Sequence, residues 1–205
     1  MHLPAMKSFE LAAILAGGRG RRMGVDKIAL PLGGQPLIER VWRTLEPLAE
    51  RVVVVGGPPR LDPWCVPTVT DRYPGADSMG GLATALLYAR ETLGPDAWAL
   101  CVAGDMPFLQ PGLLVYLAGL RANVDVVVPR TAPGYEPLCA FYRTTCVAVF
   151  EEEIARGNLR IYDIFRRVRV REVGEGEIRS KDPDLRSFLN VNRPEDLLEA
   201  ARLLE

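Results

Sequence analysis

Histidine is nearly absent from this sequence: its 205 residues contain one, His2, close to the amino terminus. A Ser–His or Cys–His nucleophilic site needs a histidine base, and a histidine-rich zinc site needs several histidine ligands. A single histidine at a chain end, where chains commonly fray, supplies neither. The expected chemistry is therefore that of carboxylates, lysine and arginine, assisted by a hard metal ion.

Paired cysteines and long apolar runs are also missing. None of the four cysteines forms a C-x-x-C pair, so we interpret Cys65, Cys101, Cys139 and Cys146 as reduced and mostly buried. No apolar run approaches the roughly 18 residues that cross a bilayer, and the first ten residues lack an apolar segment of signal-peptide type. We expect a cytoplasmic protein with no membrane partner. The net charge of −1 gives no reason to expect nucleic acid.

Predicted strands and helices alternate along the chain. Strands are predicted at 11–16, 51–55, 65–69, 97–103, 125–129, 135–142 and 169–173, with an extended stretch at 28–34. Helices are predicted at 37–45, 82–92, 111–122, 144–156, 158–168 and 194–204, and loops at 71–81 and 174–186. This alternation predicts an α/β fold with a mostly parallel central sheet and helices on both faces. The length predicts one domain, residues 10–205, after a frayed tail, residues 1–9.

A glycine-rich, cationic loop follows the first predicted strand. The stretch 11–27 reads LAAILAGGRGRRMGVDK, in which the apolar run breaks at Gly17 and Gly18 and the loop closes on Lys27. Glycine lets the backbone approach an anion, successive N–H groups form an anion-binding concavity, and cationic side chains neutralise phosphate. The P-loop pattern fails because no Ser or Thr follows Lys27, and the G-x-G-x-x-G pattern fails at Met23. The stretch predicts a phosphate-binding site, and a surface loop without a ligand is the alternative.

Two aspartates follow other predicted strands. Asp71 comes after the strand at 65–69, and Asp105 comes after the strand at 97–103. Ligands bind at the carboxyl ends of strands in such sheets, so we expect both residues and the glycine-rich loop to share one edge. A single Asp suffices for Mg²⁺, which keeps several waters and also takes phosphate oxygens. The alternatives are a turn or N-cap role for Asp105 and a turn role for Asp71.

The loop resembles the signature L-A-G-G-x-x-x-R-M-G-x-D-K of nucleotidyltransferases related to molybdenum cofactor guanylyltransferase. Three further stretches agree with the family in order: T-D-x-Y-P-G with S-M-G-G-L at 70–82, G-D-M-P-F at 104–108 and N-V-N-x-P-E-D at 190–196. Gly80 and Gly81 are expected to open the helix at 82–92, so that their N–H groups serve a ligand. Gly104 stands where many relatives have Cys, and Arg193 replaces a common Thr. The resemblance implies a single three-layer, Rossmann-like domain of the nucleotide-diphospho-sugar transferase type.

The resemblance also implies an activity: transfer of GMP from GTP to the terminal phosphate of molybdenum-bound molybdopterin, with release of pyrophosphate. It implies Mg²⁺ as cofactor, with Mn²⁺ as a substitute, bound by Asp105. The implied catalytic residues are Lys27, Asp105 and Arg22. The implied nucleotide-binding residues are Leu15, Ala16, Gly17, Gly18, Lys27, Asp71, Gly81 and Asp105. The implied acceptor-binding residues are Glu136, Pro137, Arg160, Asn190 and Asn192.

Some assignments stay open at the level of sequence. Asn190 and Asn192 would bind phosphate or pterin, or would bond the backbone before the last helix. A CTP-dependent molybdopterin cytidylyltransferase is the nearest alternative, although relatives of that kind tend to read L-A-A-G where this chain has L-A-G-G. A sugar-phosphate nucleotidyltransferase and a non-catalytic nucleotide-binding or cofactor-binding module are more distant alternatives. Transient contacts with cofactor-biosynthesis or acceptor proteins are expected.

Overall fold

A computed structural model describes residues 7–16, 27–56 and 66–204, without the side chains of Lys27 and Pro194. The strands are β1 (Phe9–Leu15), β2 (Pro31–Leu32), β3 (Gln35–Pro36), β4 (Ala49–Val55), β5 (Thr68–Val69), β6 (Trp98–Ala103), β7 (Val126–Thr131), β8 (Gly134–Tyr135), β9 (Cys139–Arg143) and β10 (Val170–Gly174). The helices are α1 (Leu37–Leu45), α2 (Asp77–Leu93), α3 (Pro111–Ala118), α4 (Val147–Ala155), α5 (Ile161–Ile164), α6 (Glu175–Arg179) and α7 (Pro194–Arg202).

One sheet runs through the middle of the described chain, in the strand order β10-β7-β9-β6-β1-β4-β5. β1 pairs in parallel with β4 and β6, β4 with β5, and β7 with β10. β9 lies antiparallel between β6 and β7. β8 is paired with β7, and β2 and β3 form a separate hairpin. The predicted α/β fold with a mostly parallel central sheet is confirmed.

Apolar cores cover both faces of the sheet. Along β1, Ala12 and Ile14 face the core that contains α1 and α3. Leu11, Ala13 and Leu15 face the other core, which contains α2, α4 and α5. Successive side chains of a strand point to opposite faces, so a strand buried on both faces reads as an unbroken apolar run. The result is three layers, with helices on both sides of the sheet.

Several element boundaries differ from the predictions. β1 begins at Phe9, one residue inside the stretch predicted as a tail. The predicted strand at 135–142 is two strands, because the Cys139 N–H bonds the Glu136 carbonyl in a turn and Pro137 has no N–H to donate. The predicted extended stretch at 28–34 starts with the 3-10 helix Lys27–Ala29. That residues 10–205 form one domain stays a prediction.

The helices also differ in length from their predictions. α2 starts at Asp77, inside the predicted loop, and α3 ends at Ala118, just before Gly119. Only Ile161–Ile164 of the predicted helix at 158–168 is α-helical. The loop predicted at 174–186 contains α6, whose Glu177 carboxylate accepts the Gly174 N–H at 3.2 Å. Local capping of this kind defines a short helix without an apolar stripe.

The cysteine interpretation is confirmed for the residues described. Cys101, Cys139 and Cys146 are free and buried, and Cys65 lies outside the described residues. Burial raises the pKa of the Cys146 thiol to about 12, so this group stays protonated and unreactive at neutral pH. No helix in the described ranges is long and apolar enough to span a membrane.

Candidate active site

The carboxyl ends of four parallel strands are level with one another. Leu15 is in register with Val55 and Ala103, and Val55 is in register with Val69. The chain therefore leaves β1, β4, β5 and β6 at the same edge of the sheet. One of these strands leads into the glycine-rich loop, one leads to Asp71 and one leads to Asp105. All three strands therefore end at the same edge of the sheet, as the sequence predicted.

The turn after β6 packs closely against the end of β1. The Gly104 N–H donates to the Leu15 carbonyl at 3.0 Å. A Cβ atom on Gly104 would lie 3.1 Å from Ile28 Cγ2 and 3.4 Å from the Leu15 carbonyl oxygen. Gly104, the residue before Asp105, is thus packed against Leu15 and Ile28, which flank the glycine-rich loop in sequence. Gly17, Gly18, Arg22 and the Lys27 side chain lie outside the described residues, so their roles stay predictions.

Asp105 also contacts the carboxyl-terminal motif. Its backbone carbonyl accepts the N–H of buried Val191 at 3.0 Å, which sets the segment 190–192 against the end of β6. Asn190 and Asn192 flank Val191, and both are exposed. Asn190 Nδ2 donates to the Phe188 carbonyl at 3.3 Å, the local role weighed as its alternative. Their ligand roles stay predictions, but the motif and Asp105 belong to one neighbourhood.

The Asp71 side chain connects its loop to α2 through hydrogen bonds. Its Oδ1 accepts the Tyr73 N–H at 2.9 Å and the hydroxyl of buried Thr84 at 3.2 Å. The Thr84 hydroxyl in turn accepts the Arg72 N–H at 3.0 Å. Asp71 therefore has the turn role that the sequence left open, just beyond the end of β5. A contact with the nucleotide stays a prediction.

Glycines 80 and 81 do not open a helix, contrary to the prediction. They lie in the second turn of α2, where the Gly80 N–H already bonds the Ala76 carbonyl at 3.0 Å. That N–H is engaged within the helix, so the predicted use of both N–H groups for a ligand is wrong at Gly80. A Cβ atom on Gly81 would lie 3.6 Å from the Leu15 side chain, so these two predicted nucleotide-binding residues are neighbours.

Glu136 lies at the same edge of the sheet, beyond β7. Its Oε1 accepts the Thr131 hydroxyl at 2.9 Å, and its N–H donates to the Pro129 carbonyl at 2.9 Å. Burial raises the pKa of the Glu136 carboxyl, and the Thr131 hydrogen bond lowers it by less. The Ala103 N–H donates to the Leu138 carbonyl at 2.9 Å, which ties this turn to the end of β6. Glu136 is therefore a half-buried carboxyl beside the strand that leads to Asp105.

A cleft of about 260 Å³ brings predicted acceptor residues together. It lies between the start of α2, the turn at Pro137 and the segment at 159–162. Its lining residues are Asp77, Ser78, Pro137, Leu159, Arg160, Ile161 and Tyr162. Pro137 and Arg160 thus line the same cleft, and their binding of the acceptor stays a prediction.

The remaining lining residues were not predicted as acceptor residues. Tyr162 falls in a stretch predicted as an ordinary helix, and Asp77 falls in a stretch predicted as a loop. The alternation of apolar and polar residues does not distinguish an aromatic residue in a cleft from one in the core. The sequence therefore contained no signal that identified Tyr162 as a cleft residue.

The donor set for a metal ion is small. In the described part of the chain, no three or more His, Cys, Asp and Glu residues are grouped to hold a metal. Half-buried Asp105 is the carboxylate at the end of β6. One carboxylate suits Mg²⁺, whose other ligands are waters and substrate phosphates, and would not make a structural zinc site.

Comparison with known proteins agrees with this geometry. Residues 12–172 match the family described as "MobA-like NTP transferase domain". A molybdenum cofactor guanylyltransferase of Desulfosudis oleivorans is 35% identical over 191 residues, 91% of this chain and 92% of that protein. A probable molybdenum cofactor guanylyltransferase of Pelotomaculum thermopropionicum is 35% identical over 198 residues, 94% of this chain and 92% of its own length.

Solved structures show the same similarity. Molybdopterin-guanine dinucleotide biosynthesis protein A of Archaeoglobus fulgidus superposes with a TM-score of 0.80 at 28% identity, covering 95% of this chain and 98% of that one. The 2-C-methyl-D-erythritol 4-phosphate cytidylyltransferase of Thermus thermophilus superposes with a TM-score of 0.66 at 17% identity, over 95% of this chain and 98% of that one. The second likeness shows the fold alone.

Proposed function

This chain belongs to the family of MobA-like NTP transferase domains, and we propose that it transfers GMP from GTP to the terminal phosphate of molybdenum-bound molybdopterin. The products are pyrophosphate and the guanine dinucleotide form of the cofactor. The observation that carries the proposal is similarity to named guanylyltransferases over more than nine-tenths of the chain. The four motifs of the resemblance support it, because the described parts of each lie at one edge of the sheet.

The two substrates occupy different parts of that edge in this proposal. GTP binds at the end of β1, and its predicted binding residues are Leu15, Ala16, the glycines of the loop, Asp71 and Gly81. The acceptor binds on the other side of Asp105, along the residues of the predicted acceptor set: Glu136, Pro137, Arg160, Asn190 and Asn192. The register of β1 and β6 supports this division, since the donor and acceptor elements flank neighbouring strand ends.

The reaction is an in-line displacement at the α-phosphorus of GTP. An oxygen of the acceptor phosphate forms the new bond to phosphorus, and the bond from the α-phosphorus to the bridging oxygen breaks. That phosphate oxygen is already anionic, so no histidine base and no covalent enzyme intermediate are needed. Lys27 and Arg22 stabilise the negative charge on the α-phosphate and on the departing pyrophosphate. The protein contributes positioning and charge stabilisation, which carry most catalysis of phosphoryl transfer.

In this proposal Asp105 would hold Mg²⁺, and Mn²⁺ would substitute for it. Its position after the end of β6, with Gly104 bonded to Leu15, supports the assignment. A bound divalent ion supplies neutralisation of phosphate charge. The cytoplasmic location and transient contacts with other cofactor-biosynthesis or acceptor proteins stay predictions.

Pyrophosphate release in the presence of Mg²⁺ tests the function. We expect release that needs both GTP and the molybdopterin acceptor, with CTP at least about tenfold less efficient, a difference of about 1.4 kcal/mol in transition-state stabilisation. Equal use of CTP would refute the guanylyl assignment. Transfer to a sugar phosphate instead would indicate the second enzymatic alternative. Binding of GTP with no pyrophosphate release would indicate a non-catalytic module.

A further inference from the structure

Tyr162 is an exposed aromatic residue on the wall of the cleft. Among the aromatic residues of the described ranges, Tyr162 is the one that is exposed, with a relative exposure of 52%, and it lines the cleft. Its ring centroid lies 6.1 Å from that of Tyr135, with 34° between the planes, and 6.4 Å from that of Phe165. Tyr135 is itself fixed, because its hydroxyl donates to Glu172 Oε2 at 2.7 Å. The Tyr162 ring is thus supported from one side and open on the other, which suits a flat ligand.

Charged groups of both signs line the same cleft. Arg160 precedes α5, and in the described part of the chain its guanidinium is in no ion pair, unlike Arg156 and Arg167 nearby. Its backbone N–H donates to Asn158 Oδ1 at 3.2 Å. Asn158 Nδ2 in turn donates to the buried Glu153 carboxylate at 2.6 Å. The segment that carries Arg160 is therefore anchored to α4.

Asp77 brings a carboxylate to the opposite wall, at the start of α2. Its φ is +47°, a left-handed conformation that glycine adopts far more easily. Strained backbone of this kind persists where the surroundings enforce it, and such residues cluster at ligand sites. Ser78 follows it along the same wall. The cleft therefore combines an aromatic face, a carboxylate and a cation.

We propose that Tyr162 and Asp77 determine specificity for the acceptor by binding its pterin ring, an inference that rests on the proposed function. A pterin has a flat face, an edge with an amino group and a ring N–H, and in this acceptor a phosphate. The flat face stacks on Tyr162, and the amino edge donates hydrogen bonds to the Asp77 carboxylate. Arg160 binds the phosphate side of the molecule. Each chemical feature of the acceptor then has a partner in the one cleft.

Steady-state kinetics on the full chain test this assignment, with the acceptor varied at saturating GTP and GTP varied at saturating acceptor. Tyr162→Leu keeps apolar bulk and removes the ring, so we expect the KM for the acceptor to rise about tenfold, in the range known for aromatic–base stacking. Tyr162→Phe keeps the ring and stays within about twofold of wild type. Asp77→Asn loses the charge-assisted hydrogen bonds and raises the same KM. The KM for GTP stays unchanged in all three variants.

Two controls separate recognition from folding. Leu198→Ala changes a leucine that is 67% exposed on α7, outside the cleft, and should leave both KM values unchanged. Asp77→Gly relieves the left-handed backbone, so it should keep or raise the melting temperature while still raising the KM for the acceptor. An unchanged acceptor KM in Tyr162→Leu, or an equal rise in the KM for GTP, overturns the proposal.

A binding titration distinguishes failure of this inference from failure of the proposed function. Wild-type protein that transfers no GMP would refute the function, and 6-hydroxymethylpterin fluorescence would then probe the cleft directly. Quenching by wild type and not by Tyr162→Leu supports ring recognition. The same titration curve for both proteins overturns it.

Discussion

Two aspartates bracket β6, and they differ in what lies beside them. Asp96 precedes the strand, is 70% exposed and pairs with Arg143 at 3.0 Å. Asp105 follows the strand and is half-buried. The preceding Gly104 packs against Leu15 and Ile28, and the Asp105 carbonyl accepts the Val191 N–H. The two carboxylates have the same chemistry at opposite ends of one element. They therefore form a matched pair for testing the metal assignment.

Replacing Asp105 by Asn should remove turnover while leaving the fold intact. The bond from the Val191 N–H goes to the backbone carbonyl of Asp105, so a side-chain change does not remove it. Loss of the metal ligand should cost at least about 100-fold in kcat, because a metal contributes several kcal/mol to such transition states. The Kd for GTP should change much less. The measurements are kcat as a function of Mg²⁺ and Mn²⁺ concentration, and GTP affinity by calorimetry.

Asp96→Asn is the control for that experiment and should keep wild-type kcat. Wild-type turnover in Asp105→Asn would rule out Asp105 as the metal ligand. A matching loss in both variants would instead point to damage of β6 itself.

Single residues of the site were predictable to different degrees. Asp105 and Leu15 follow buried parallel strands, and the shared carboxyl edge of such strands made their proximity an expectation. Tyr162 and Asp77 were missed, because the cleft joins segments about 80 residues apart in sequence and each has an unremarkable local pattern. Contacts of that kind depend on how α2, α5 and the Pro137 turn pack together. A family signature identifies residues such as Tyr162 and Asp77 only when they are among the positions of the signature.

The junction between α2 and the preceding loop depends on the absence of a side chain at Gly80. A Cβ atom there would lie 2.6 Å from the Tyr73 carbonyl oxygen, which is backbone and cannot rotate away. Gly80→Ala should therefore destabilise the protein by about 1–3 kcal/mol, the usual cost of overpacking. In a chain of this length, that corresponds to a fall of about 2–12 °C in melting temperature. Thermal unfolding followed by circular dichroism measures it.

Gly112→Ala is the matched control, since the same substitution in α3 would meet nothing within 4 Å. Alanine is the better helix former by up to about 1 kcal/mol, so this variant should be as stable as wild type or more stable. Equal melting temperatures for Gly80→Ala and wild type would show that the loop gives way and would contradict the close packing.

At the level of elements, long apolar runs were predicted well and short polar elements poorly. β1, β4 and β6 are buried on both faces, so their sequences carry a continuous apolar signal. α6 has only Ile178 buried and is defined by the Glu177 cap, which a search for apolar periodicity does not detect. The turn between β8 and β9 was missed for a related reason, because only Glu136 and Pro137 interrupt an otherwise apolar run.

Across the whole molecule, arginine–carboxylate pairs couple stability to pH. Hydrogen bonds from arginine side chains hold the pKa of five carboxyls below its ordinary value: Glu91, Asp125, Glu152, Glu175 and Glu177. A carboxyl whose pKa is lower in the folded state stabilises the fold above its unfolded pKa, near 4. That contribution is lost as the pH falls through the folded pKa. Glu136 acts in the opposite sense, because burial raises its pKa and its protonation favours the fold.

The melting temperature should therefore be nearly constant from pH 8 to about pH 5 and should fall steeply below about pH 4. Asp125 should account for a large share of this fall. Its side chain is only 15% exposed, and it accepts three hydrogen bonds from Arg169, at 3.0, 2.9 and 2.8 Å, between the starts of β7 and β10. Asp125→Asn should lower the melting temperature at pH 7 and reduce its difference between pH 7 and pH 3. Asp184→Asn, at a carboxylate that is 66% exposed, should do neither. A wild-type melting temperature that is the same at pH 7 and pH 3 would show that these pairs do not govern acid stability.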